Sequence, residues 1–335
     1  MHAPARTFRI SAGLSGILML LVLGPLLAAG PNRAAPAGWQ AEWPRTDFGR
    51  HTVALDEIMS GGPPKDGIPA IDGPRFHPVT EEEELAPQEP VISLEVGGLA
   101  RAYPLRILMW HEIVNDEVAG TPVAVTYCPL CNAAIVFDRR VNDRVLDFGT
   151  TGKLRHSDLV MYDRQTESWW QQFSGEAIVG TMTGTRLAML AARLESFASF
   201  EDRAPHGEVL APPEPRRRPY GSNPYVGYDS AAMPFLYRGE VPEGIAPLAR
   251  VVVVGERAWS LEKLRAAGEI DLDGLRLSWR PGQVSALDAP VIAESREVGD
   301  VVVERRTGSG FEDVAHHVTF AFVFHAFHPD APIER

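Results

Sequence analysis

The chain of 335 residues is 45% hydrophobic and 23% charged, a composition that argues against disorder and provides for one large core or two smaller ones. Its 32 lysines and arginines stand against 44 aspartates and glutamates, and a net charge of −12 would repel a phosphate backbone, so nucleic acid is not an expected partner. The 28 prolines and 30 glycines favour turns and short strands over long helices.

At the start of the chain Arg6 and Arg9 precede an uncharged run over residues 10–29, with small residues at Ala28, Ala29 and Gly30 offering a cleavage site. This is the pattern of an export signal over residues 1–30, which places the body of the protein in the periplasm or otherwise outside the cytoplasm. The run is also long enough to span a bilayer, so an uncleaved membrane anchor is the alternative, one that Pro25 makes less attractive. No cysteine follows the run to carry a lipid. Residues 31–90, with G-G-P-P-K-D-G-I-P-A-I-D-G-P at 61–74, read as an extended arm wrapped over the body.

Short runs of strand character follow at 91–96, 100–103, 123–127, 134–138, 145–148, 159–162 and 177–179. Two helical patches interrupt them, at 105–113, where Pro104 suits a helix start, and at 195–203. The expected fold is α+β and predominantly β, with few short helices. G-T-T-G-K at 149–153 lacks the first glycine and the Ser or Thr of a phosphate loop and reads as a turn.

The chain also resembles itself. The segment from Val91 matches the one from Arg250, with Arg101-Ala102-Tyr103 over Arg257-Ala258-Trp259; further on, the stretch T-P-V-A-V-T-Y-C-P-L-C-N matches G-L-R-L-S-W-R-P-G-Q-V-S with Pro129 on Pro281, and Phe197-x-x-Phe200 lies over Phe324-x-x-Phe327. Two diverged β-rich pseudo-repeats are therefore expected, at 91–210 and 249–335. A Pro-rich, aromatic connector at 211–248 joins them, and its Arg216-Arg217-Arg218 run reads as solvated loop.

Both cysteines of the chain lie in one stretch, T-Y-C-P-L-C-N. The internal match acts as a control, because Cys128 falls on Arg280, Cys131 on Gln283 and His111 close to Ala267, while the flanking proline and strand residues are kept. One copy carries a His, Cys, Cys set and the other carries none of it, as one shared site would require. A C-P-x-C turn between two strands is not the strand-to-helix junction of a thioredoxin, and it points both sulfurs to one side. That suits a metal knuckle of Cys128, Cys131 and His111 holding copper or zinc, with Glu112, Met161 and His156 as further candidates for the open position. It equally suits a redox pair in which Cys128 and Cys131 are the catalytic thiols of a thiol-disulfide oxidoreductase, with His111 favouring the thiolate. An inert bridge in a non-catalytic cell-envelope interaction module is the third reading. A redox or metal-delivery protein of the cell envelope is the expected partner.

His111-Glu112 begins like H-E-x-x-H, but the fifth residue is Asn115. His316, His317, His325 and His328 read as packing residues. So do Trp169, Trp170, Tyr220, Tyr225 and Tyr228, for which a pocket wall is the functional alternative.

Taken together, K-D-G-I-P-A-I-D, W-H-E-I-V-N-D, T-Y-C-P-L-C-N-A-A, F-G-T-T-G-K-L-R-H-S-D-L-V-M-Y-D, T-E-S-W-W-Q-Q-F-S-G-E and Y-G-S-N-P-Y-V-G-Y-D resemble a widespread family of prokaryotic exported proteins catalogued only as a domain of unknown function. The resemblance covers most of the chain after the signal and brings no substrate, cofactor or catalytic residue with it. It implies Asn where this chain has His156, and a longer stretch between Ser309 and Phe320.

Overall fold

Tight turns close most of the strands. Gly97 and Gly98, at φ 58 and 81, take the left-handed geometry of a two-residue hairpin and fold Pro90–Val96 back on Leu99–Pro104. The computed structural model describes residues 1–2, 35–213 and 218–335. The export signal expected at 1–30 and the residues Arg216 and Arg217 thus lie wholly or almost wholly outside the described residues. Among the described residues no helix is long and apolar enough to cross a membrane.

Five sheets of four or five strands are set in a ring, like the blades of a small propeller, and no described α-helix is longer than seven residues. The β-rich α+β expectation holds. One sheet orders Ala192–Ser196, Pro90–Val96, Leu99–Pro104, Glu208–Leu210 and Phe76–Pro78; another orders His317–Phe320, Arg250–Val254, Arg257–Ser260 and Ile333–Glu334. In both, a hairpin leads into a seven-residue helix (Leu105–His111, Leu261–Ala267) and then a second hairpin. A later strand then returns antiparallel to the first, and another short strand runs parallel to the second. Cys128 and Arg280, matched in sequence, each end the outgoing strand of that second hairpin. Ser196 stands opposite Pro90 and Phe320 opposite Arg250, so Phe200 corresponds to Phe324, one helical turn away from the alignment drawn from sequence.

Two local expectations need correction. Ile113–Val118 is a strand, although its Asn, Asp and Glu conceal it in the sequence. Asn115 faces inward, where its amide nitrogen donates to Phe148 O at 2.8 Å and its oxygen accepts from Phe148 N at 2.9 Å, joining two sheets as a ladder would. The G-T-T-G-K stretch is a bulge inside the strand Phe148–Arg155, where the register shifts between Thr150 and Lys153. Thr151 fills the bulge, its hydroxyl accepting from Lys153 N at 2.9 Å.

Residues 58–78 of the arm lend an edge strand to each of three sheets. Ile58–Ser60 pairs with Lys153 to Arg155, Ile71–Asp72 with Val114 and Asn115, and Phe76–Pro78 with Glu208–Leu210. Covered edges cannot recruit other chains. The arm also crosses the bulge at Gly152, where φ is +68 and an added Cβ would meet Pro63 O at 1.9 Å. Gly152→Ala is expected to cost more than about 1 kcal/mol in urea unfolding and to speed proteolytic clipping of the arm.

Arg33–Arg335 form one compact unit, and one apolar cluster runs through it, including Val125, Ile135 and Phe137 as well as Leu264, Phe322 and Phe324. Trp169 belongs to a second cluster made with arm residues, packing edge-on to Trp43 at 5.3 Å and to Phe48 at 5.3 Å.

Candidate functional site

The strands Thr121–Cys128 and Ala133–Asp138 pair so that Cys128 faces Ala133, and the chain between them turns at once. Cys131 N donates to Cys128 O at 3.2 Å, and Asn132 N to Pro129 O at 3.2 Å, with Asn132 at φ 50. Both thiols are free, buried and turned to one side. They approach a single acceptor, the Ser157 carbonyl oxygen, at 3.8 Å from Cys128 Sγ and 3.4 Å from Cys131 Sγ.

That carbonyl is presented by a hairpin turn. His156 and Ser157 both have left-handed φ, 55 and 66, and Arg155 pairs with Asp158 across the turn. Asn takes the first such position more readily than His, which gives a physical reason for the Asn implied at 156 by the resemblance. The turn sets Asp158 at the head of the strand Asp158–Asp163, fully buried.

Cys128 Sγ, Cys131 Sγ and an Asp158 carboxylate oxygen lie within 4.8 Å of one another, a group that could hold a metal ion. Asp158 Oδ2 accepts from Gln171 Nε2 at 2.6 Å and from Phe173 N at 2.9 Å. Its Oδ1 is shut away from solvent and lacks a well-placed donor. Burial pushes the Asp158 carboxyl up to about 6 against its hydrogen bonds with Gln171, Phe173 and the two thiols, and pushes both thiols above their ordinary value. Burial, with the charge of Asp158 behind it, takes Glu112 up to about 8. Four acidic groups thus share an apolar region, and neither carboxylate has an ion-pair partner among the described residues.

The residues expected from sequence are distributed around this group in different ways. His111 is buried, with Nδ1 at 2.8 Å from Pro69 O and Nε2 at 2.8 Å from the Tyr220 hydroxyl, so its two nitrogens tie the arm and the connector to the end of Leu105–His111. Glu112 ends that helix at φ 57, its N–H bonded to Leu108 O and its carbonyl accepting from Tyr127 N at 2.8 Å, beside the thiol strand. Met161 is fully buried three residues along from Asp158 and falls on the opposite face of the strand. His156 packs edge-on to Phe327 at 5.4 Å, with Nε2 3.6 Å from Glu57, and burial lowers its pKa to about 4.

Sequence reasoning passed over Asp158. A lone Asp has no spacing signature, and the only cue was a carboxylate opening an otherwise apolar L-V-M-Y strand. The roof was also missed. Tyr228 donates to Leu130 O at 3.0 Å, Ser157 Oγ donates to Phe235 O at 2.6 Å, and Phe235 N reaches the Tyr228 hydroxyl at 3.3 Å, so the connector closes over the knuckle. From the second half of the chain, Thr319 Oγ1 at 2.9 Å and Phe320 N at 3.1 Å both donate to Cys131 O.

Fold and site together define a ring of small sheets with a buried group of two thiols and a carboxylate. The chain belongs to the family described as "Protein of unknown function (DUF3179)", which matches it over residues 65–331. No curated protein and no solved structure matches it.

Proposed function

We propose that this is an exported metal-handling protein that holds a zinc ion between Cys128, Cys131 and Asp158. Two buried thiols and the buried Asp158 carboxylate, drawn within 4.8 Å of one another with Oδ1 lacking a well-placed donor, carry the reading. An unsatisfied buried acceptor costs about 1–3 kcal/mol, and a cation there would offset that cost while favouring the ionised form of all three groups. Thiolates with a carboxylate are zinc ligands, whereas copper(I) selects sulfur, so the oxygen favours zinc over copper. The Ser157 carbonyl, close to both sulfurs, is placed to be a fourth donor. In this donor set Asp158 takes the place expected for His111. The basic, then apolar, N-terminal sequence supports work outside the cytoplasm, with a metal-delivery or redox protein of the cell envelope as partner.

Elemental analysis of protein purified from its native compartment is expected to give close to one zinc per chain. The content should fall at least tenfold in Cys128→Ser and in Asp158→Asn, and persist in His111→Gln. A metal-free wild type, or full occupancy in Asp158→Asn, would overturn the assignment.

The convergence of both sulfurs on one carbonyl also favours a second reading, thiol-disulfide exchange without metal. Against it, burial holds both thiols protonated and hidden, which leaves little thiolate to attack a disulfide. An oxidoreductase would exchange with a reporter disulfide in the presence of chelator; a non-catalytic interaction module would neither exchange nor hold metal.

A further inference from the structure

Among the described histidines, His317 alone is buried with neither ring nitrogen hydrogen-bonded. It opens the strand His317–Phe320 and is 6% exposed. Burial, with His316 and His328 nearby, holds its pKa down to about 3, so the ring is neutral and carries one unused donor and one unused acceptor. Leaving both unused is costly.

His317 lines a cavity of about 700 Å3. One wall is aromatic: Phe173 and Phe327 stack at 4.5 Å and 11°, His317 stands edge-on to Phe173 at 5.0 Å, and His328 lies 5.9 Å from the same ring. Gln171 also lines the cavity, and its Oε1 is a second buried acceptor without a partner. The two guanidinium groups in the lining are already matched, Arg155 to Glu57 at 2.7 Å and Arg186 to Glu176 at 3.1 Å. Glu256 adds a carboxylate to the lining, so the cavity offers ring surfaces and hydrogen-bonding groups, with no spare cation to select an anion.

We propose that this cavity is a binding site for a small uncharged aromatic molecule bearing a hydroxyl group, that is, a phenol or a hydroxylated heteroaromatic. The ring packs against Phe173 and Phe327, and the hydroxyl, which donates and accepts at once, pairs with His317 and Gln171. The site adjoins the thiol group, because Gln171 Nε2 and Phe173 N are the two donors that hold Asp158 Oδ2. Binding itself does not depend on the zinc reading.

Titration calorimetry of the full chain with phenol, and with benzoate and toluene as comparison probes, tests the proposal. Phenol should bind at one per chain, at least tenfold more tightly than either comparison probe. His317→Phe, which keeps the ring and removes the nitrogens, should weaken phenol at least tenfold; Phe327→Ala, at a half-buried position, is the second variant should the first not fold. No saturable binding of phenol, a preference for benzoate, or unchanged affinity in the folded variant would overturn the site. Cys128→Ser keeps the two ideas apart: it should lose metal and still bind phenol, and a metal-free wild type that binds phenol would sink the zinc reading alone.

Discussion

In the absence of metal, the protein should lose stability steadily as pH rises from about 5 to about 8. Glu112, ordinarily near 4.5, is held at about 8 in the folded chain, and Asp158, ordinarily near 3.8, at about 6. A carboxyl raised in this way favours folding fully below its ordinary value, because the folded state keeps a proton that the unfolded chain releases. That contribution is lost as pH climbs through the interval to the folded value. Each unit of displacement corresponds to about 1.4 kcal/mol, so the two groups together represent a loss of several kcal/mol. Thermal unfolding of chelated protein across pH reads it directly, at about 2–4 °C in midpoint per kcal/mol. Glu112→Gln should flatten most of the slope above pH 6. On the zinc reading, saturating zinc should reverse the trend over the same interval, since the three groups must shed protons to bind it. A flat profile for the chelated wild type would mean that these carboxyls are ionised and matched in solution.

The second large effect lies in the connector. Asp229 sits in the short helical turn Tyr228–Ser230 with its carboxylate fully enclosed, accepting from Arg250 at 3.1 Å, from Arg296 at 2.8 Å and from Ser285. Burial pushes this carboxyl up, but Arg250, Ser285 and Arg296 together hold it below its ordinary value. Asp229→Ala leaves the buried Arg250 guanidinium without its counter-charge and is expected to cost about 3–5 kcal/mol in urea unfolding. Arg296, half exposed, should cost less than about 1 kcal/mol when replaced by Ala. The neighbouring Tyr228 bonds the thiol turn, so Asp229→Ala should also speed labelling of Cys128 and Cys131 under native conditions. Slow labelling in a clearly destabilised variant would show that the roof is held from elsewhere.

Much of the architecture was legible because it rests on local rules. Alternating apolar residues and left-handed turn pairs mark strands such as Pro90–Val96 and Thr121–Cys128 within a residue or two. Ile113–Val118 was hidden because its polar residues serve tertiary partners, Asn115 toward Phe148 and Asp116 toward Arg101 and Tyr103. The site was legible only where spacing is informative. Two cysteines three residues apart announce themselves, but Asp158 is brought to them by a turn nearly thirty residues later, which no local pattern encodes. His111 was singled out because the second half lacks it. The structure shows that it holds Pro69 of the arm and Tyr220 of the connector.

The arm has a further consequence for the order in which the molecule assembles. Ile58 must find Arg155, and Phe76 must find Leu210, so these pairings wait until most of the chain is in place. Contacts between residues so distant in sequence form late, because the loop they close is entropically costly until the rest has ordered. A segment made early therefore docks last. In native hydrogen exchange the amides of Ile58–Ser60 and Phe76–Pro78 should open as an early unit, ahead of the hairpin that carries the thiols.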